Sequence, residues 1–139
     1  MKTCLFLLVL LTFATPALAF TASPNGTTPT ITYTEPTTVV GGVPTPITDL
    51  SSTRIYWKID TGTETMVTVP ASKPTGGGVI VNSSILLPIL ACQKGTVNVA
   101  VTAVNGGGES ARAVATPLVV DRTKEASCVP AAPTNFTVQ

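Results

Sequence analysis

Hydrophobic and polar residues alternate with a period of two along much of this chain. The clearest stretch is Val97-Asn98-Val99-Ala100-Val101-Thr102-Ala103, which sends Val97, Val99, Val101 and Ala103 to one face. Thr30-Ile31-Thr32-Tyr33-Thr34 alternates in the same way, with Ile31 and Tyr33 together. In Arg54-Ile55-Tyr56-Trp57-Lys58-Ile59 the residues Ile55, Trp57 and Ile59 share one face. Arg54, Tyr56 and Lys58 share the other. Met66 to Val69 reads as a short strand ended by Pro70. Val79 to Leu90 reads as an apolar strand broken near Pro88, and Ala111 to Val120 as a return strand.

Turn signals separate these runs. Asp60-Thr61-Gly62, residues 92–95 and Asn105-Gly106-Gly107-Gly108 are turns, and residues 71–78 form a loop closing in three glycines. Residues 36–50 make a long connection, where Gly41-Gly42 and Pro44-Thr45-Pro46 exclude a regular central strand. Six or seven short strands without a helical stripe predict an all-β antiparallel fold. Two sheets, each with one apolar face, must cover each other, which predicts a β-sandwich.

The first 19 residues stand apart. Lys2, the apolar run Leu5 to Phe13 and Ala17-Leu18-Ala19 read as a secretory signal peptide cleaved before Phe20. Cys4 leaves with it. The remaining cysteines, Cys92 and Cys128, form an even pair in an oxidising compartment, which favours a disulfide over two buried thiols. No later stretch is long enough to span a membrane.

Composition narrows the function. Eleven per cent of the residues are charged, against roughly a quarter in an average soluble domain. With 8 Lys+Arg against 7 Asp+Glu there is no basic cluster for nucleic acid. There is no His, so imidazole-based nucleophile systems and imidazole metal ligands are excluded. Asp60-Thr61-Gly62 matches the aspartic protease triplet, but a single copy at a hairpin position reads as a turn. Asp60 and Glu64 are too few carboxylates for calcium. The glycine runs 76–78 and 106–108 lead into no phosphate-binding helix. The sequence therefore predicts no enzyme, no metal and no cofactor. N-x-S/T sequons occur at Asn25, Asn82 and Asn135, and the one at Asn82 accepts a glycan only on an outer face.

Val101-Thr102-Ala103-Val104-Asn105-Gly106-Gly107-Gly108-Glu109-Ser110 resembles the V-x-A-x-N-x-x-G-x-S signature of fibronectin type III domains. In that family it spans strand F, the F–G turn and the start of strand G. Ile31-Thr32-Tyr33 looks like strand B, and Thr53 to Trp57 like strand C. The resemblance covers residues 30–122. Two residues depart from it: Tyr33 stands where the family usually has Trp, and Val97 where it usually has the corner Tyr.

The resemblance implies an immunoglobulin-like sandwich of about seven strands over residues 30–122. Residues 20–29 are an N-terminal extension or weak first strand, and residues 123–139 a linker and tail or the start of a second domain. It also places Cys92 and Cys128 at one pole, where a bridge between them replaces the corner Tyr. The function it implies is a secreted, non-catalytic binding or adhesion module with a protein or carbohydrate partner. Loops 36–50, 71–78 and 104–109 are candidate contacts, and so are Arg54, Tyr56, Lys58, Asn105 and Glu109. The alternative is a structural subunit or spacer assembling by β-strand exchange, with weak self-association. In that alternative the tail, residues 129–139, fills the first-strand position beside Ile31 and Tyr33, in its own chain or a neighbour's.

Overall fold

The computed structural model describes residues 19–21, 27–40 and 44–131. The signal segment before Ala19, the sequons at Asn25 and Asn135 and the tail from residue 132 lie outside the described residues. Strand β1 (Ala19–Thr21) pairs antiparallel with β2 (Thr30–Thr34). Two short strands, β3 (Thr38–Val39) and β4 (Thr45–Pro46), form a small ladder of their own. β5 (Ser52–Ile59) and β6 (Thr65–Pro70) make a hairpin through Asp60-Thr61-Gly62. β7 (Val79–Asn82) returns to β2. β8 (Lys94–Asn105) lies along the whole of β5, from Ser52↔Val104 to Ile59↔Val97. β9 (Gly108–Glu109), β10 (Ala113–Val114) and β11 (Leu118–Asp121) each pair with the other edge of β8. The protein is thus all-β, with antiparallel sheets in the orders β1-β2-β7 and β10-β8-β5-β6.

Both sheets feed one apolar cluster. Ile31 and Tyr33 come from β2, Ile55 from β5, and Val97, Val99 and Val101 from β8. Val120 of β11 joins them, fully buried. Trp57 and Ile59 pack against this cluster half-buried, on the face that alternation assigns them. Each fully buried aliphatic side chain contributes about 1.5–3 kcal/mol. The sheets also meet through a buried polar contact, because the Tyr33 hydroxyl lies 2.6 Å from Thr53 Oγ1. Burial raises the Tyr33 pKa, so the phenol stays neutral.

Several boundaries differ from the sequence expectation. The strand from Val79 stops at Asn82, well before Pro88. There the Asn82 carboxamide oxygen accepts from the Ser84 N–H at 3.1 Å and from its hydroxyl at 3.2 Å. A side chain that takes a backbone donor competes with the ladder. Beyond it the chain leaves the ladder, with the Leu87 N–H on the Thr27 carbonyl at 2.7 Å, burying Ile85, Leu87 and Ile89 while Leu86 and Leu90 face out. The expected return strand is two short pieces, β10 and β11, and β9 precedes it. Ser110 Oγ accepts from the Ala103 N–H at 3.0 Å, and Pro117 brings no N–H before β11. The first-strand position beside β2, which the strand-exchange alternative gives to the tail, carries β1, with Phe20 opposite Ile31.

Loop 71–78 is fastened rather than free. Glu35, 2% exposed, follows β2 and points its carboxylate into this loop. The carboxylate accepts from the Ser72 N–H at 2.8 Å, from the Ser72 hydroxyl and from the Gly78 N–H at 3.2 Å. Gly76 sits at φ +63 against the Pro36 carbonyl, where a Cβ would collide at 1.9 Å, so only glycine fits this turn.

Cys92 and Cys128 are bonded, with Cα atoms 5.3 Å apart. A 3-10 turn, Ala126–Cys128, brings the second sulfur back. Arg122 fastens the same end of the molecule. Its guanidinium donates to the Ile89 carbonyl at 2.7 Å and pairs with Glu125 at 2.5 Å. The end of β11 is thereby held against the turn before β8.

Candidate functional site

The outer face of the β10-β8-β5-β6 sheet gathers the candidate residues. Alternation along β5 turns Arg54, Tyr56 and Lys58 away from the core. Register then sets Thr102 beside Arg54, Ala100 beside Tyr56 and Asn98 beside Lys58. On the far side of Ala100 comes Val114, 71% exposed, and on the far side of Tyr56 comes Met66, 46% exposed.

Glu109 organises one half of this face. β9 carries it opposite Val104, on the outward side. Its carboxylate accepts from Arg54 at 2.5 Å, from the Tyr56 hydroxyl at 2.5 Å and from the Thr102 hydroxyl at 2.6 Å. Arg112 organises the other half. Its guanidinium lies 4.2 Å from the centre of the Tyr56 ring and makes two 2.8 Å bonds to Glu64. This stacking and fork match the planar geometry of arginine and would not survive a lysine. Tyr56 is therefore pinned at its hydroxyl and over its ring. Lys58 makes no ion pair among the described residues.

Between these groups runs a groove of about 210 Å³ lined by Tyr56, Lys58, Glu64, Asn98, Arg112 and Val114. Pockets that enclose a drug-sized ligand hold roughly 300–1,000 Å³. The groove is smaller than that.

Asn105 does not join this face. Its amide donates to Asp49 at 3.1 Å, and Asp49 also accepts from the Gly106 N–H at 3.0 Å. The 105–108 turn is locked to the connection before β5. Asp60 forms its turn at φ 48 and accepts from the Thr96 N–H at 2.9 Å, which accounts for the D-T-G triplet structurally. Asn82 is half-buried and shares the core-side parity of Ile80, with its carboxamide oxygen held by Ser84. Among the described residues, no group of three or more His, Cys, Asp and Glu is placed to hold a metal ion. Among the same residues, no helix is long and apolar enough to cross a membrane.

The sequence reading missed Glu64, Thr102 and Arg112. One signal could have found Arg112: it precedes Val114 by two residues, so a β8–β10 register puts both on the outward side.

Hydrogen bonds from Thr102 and Tyr56 and the charge of Arg54 hold the Glu109 carboxyl below its usual range. Arg112 does the same for Glu64. A depressed carboxyl stabilises the folded state fully above the unfolded value and loses this effect as pH falls through the folded one. The denaturation midpoint should thus stay flat from neutral pH to about pH 4.3 and decline below it. Glu109→Gln should flatten part of that acid decline. The same slope in wild type and variant would show that Glu109 does not contribute.

No protein-family model matches this chain, and no curated protein matches it.

Proposed function

We propose that this protein is a secreted, non-catalytic binding or adhesion module, built as a fibronectin type III-like β-sandwich. The strand orders, the single core fed by both sheets and the F–G signature around Asn105 support that fold. The disulfide is in keeping with an oxidising compartment. The binding reading rests on one observation, the pinned Tyr56 on an open sheet face between Glu109 and Arg112. An aromatic already ordered by its neighbours loses little conformational freedom on binding. Flanking charges and the exposed Val114 and Met66 add polar and apolar contact area. The partner is a protein or a carbohydrate larger than the groove.

A protein and glycan array probed with the exported wild type tests this, with Tyr56→Ala and Arg112→Ala as controls. A central aromatic or arginine anchor is worth about 2 kcal/mol or more. Each variant should weaken capture at least tenfold. The melting temperature should hardly move in Arg112→Ala, because exposed ion pairs contribute about 0–1 kcal/mol. Equal capture by wild type and both variants would refute the proposed face.

A further inference from the structure

The opposite sheet ends in β7, an edge strand entered through a bulge at Gly77-Gly78, where the Gly77 N–H donates to the Glu35 carbonyl at 3.2 Å. Among the described residues, β7 pairs only with β2. The Glu35 N–H donates to the Gly78 carbonyl at 2.9 Å, one step beyond the Thr34↔Val79 pair. Bonded and non-bonded positions alternate along an antiparallel ladder. This contact therefore sets the phase. Ile80 and Asn82 turn their backbone groups toward β2, and Val79 and Val81 turn theirs to the open side. The side chains of these two valines are 66% and 63% exposed on the outer face.

Edge strands are usually guarded by a charge, a proline or a bulge. Val79-Ile80-Val81-Asn82 has no charge and no proline, and residues 74–93 contain no Asp, Glu, Lys or Arg. We propose that this edge pairs with the same edge of a second copy of the chain. A two-fold axis at Ile80 sets Val79 of one copy opposite Val81 of the other, each pair exchanging both N–H···O bonds. The four exposed valines then form one apolar cross-strand cluster. Because the run is uncharged, the axis brings no like charges together. For the same reason an acidic or basic peptide finds no counter-charge there. The ladder is short, so the dimer forms only at high protein concentration. This surface is on the other sheet and does not depend on the Tyr56 face.

Sedimentation of the purified exported protein over a wide concentration range tests the pairing, with amide exchange read at the two valines. Wild type should dimerise as concentration rises, and the Val79 and Val81 amides should gain protection in step. Val81→Lys should weaken the dimer at least tenfold with an unchanged melting temperature, because the side chain is solvent-facing. A wild type that stays monomeric throughout would overturn the proposal. So would a dimer that persists unchanged in Val81→Lys. A chain that dimerises only after residues 132–139 are deleted would assign the edge to its own tail, and would also overturn it.

Discussion

Replacing Cys92 and Cys128 together with alanine should lower the stability by about 3 kcal/mol and the melting temperature by roughly 10–15 °C. The bond links residues 36 apart in sequence. Closing a loop of that size removes about 4 kcal/mol of unfolded-state entropy. Residual structure in the unfolded chain commonly brings the measured effect below that value. Cys92 sits at φ 66 in the left-handed region, a cost of about 1–2 kcal/mol that alanine bears equally, so it cancels between wild type and variant. Arg122 keeps its bonds to Ile89 and Glu125, so the end of β11 should remain placed and the fold should survive. Thermal unfolding of the double variant, and of wild type under reductant, should give the same drop. An unchanged melting temperature in both would mean that the bridge constrains nothing that unfolding releases.

Glu35→Ala should cost about 3 kcal/mol, a large effect for a single side chain. Its carboxylate is buried and, among the described residues, makes no ion pair and accepts from Ser72 and Gly78. Removing it unmakes hydrogen bonds to a charged acceptor, each worth about 1.5–3 kcal/mol, although water reaches the freed donors of exposed Ser72 and half-buried Gly78. Glu35→Gln keeps one acceptor oxygen but turns an N–H₂ group toward donors, and should lose about half as much. Chemical denaturation of both variants checks the order. Equal stability of wild type and Glu35→Ala would show that water replaces the carboxylate and that the loop is not fastened by it.

The contrast between these residues shows what the chain reveals on its own. β2, β5 and β8 were legible because a half-buried strand imposes strict alternation, and Ile31, Ile55, Val97 and Val99 obey it. The outward set Arg54, Tyr56 and Lys58 followed from the same rule. Glu35 was not legible, since a carboxylate between Thr34 and Pro36 carries no local sign of burial. Its partners lie 37 and 43 residues away. Arg112 and Glu64 are 48 residues apart and meet only once β5, β8 and β10 are in register. The bond from Asn105 to Asp49 was not legible, because the signature predicts the turn but not the carboxylate that captures its side chain. The end of β7 was missed because Pro88 is the more conspicuous breaker, while the Asn82–Ser84 turn acts first.

The proposed partner surface is the Tyr56 face of the β10-β8-β5-β6 sheet. Amide chemical-shift mapping, with a partner captured from the array added to isotope-labelled protein, tests it most directly. The largest shifts should fall at Tyr56, Ala100, Thr102, Arg112 and Val114, with loop 71–78 nearly silent because Glu35 fastens it. Shifts confined to residues 36–50 or 71–78, with Tyr56 and Arg112 unmoved, would contradict it.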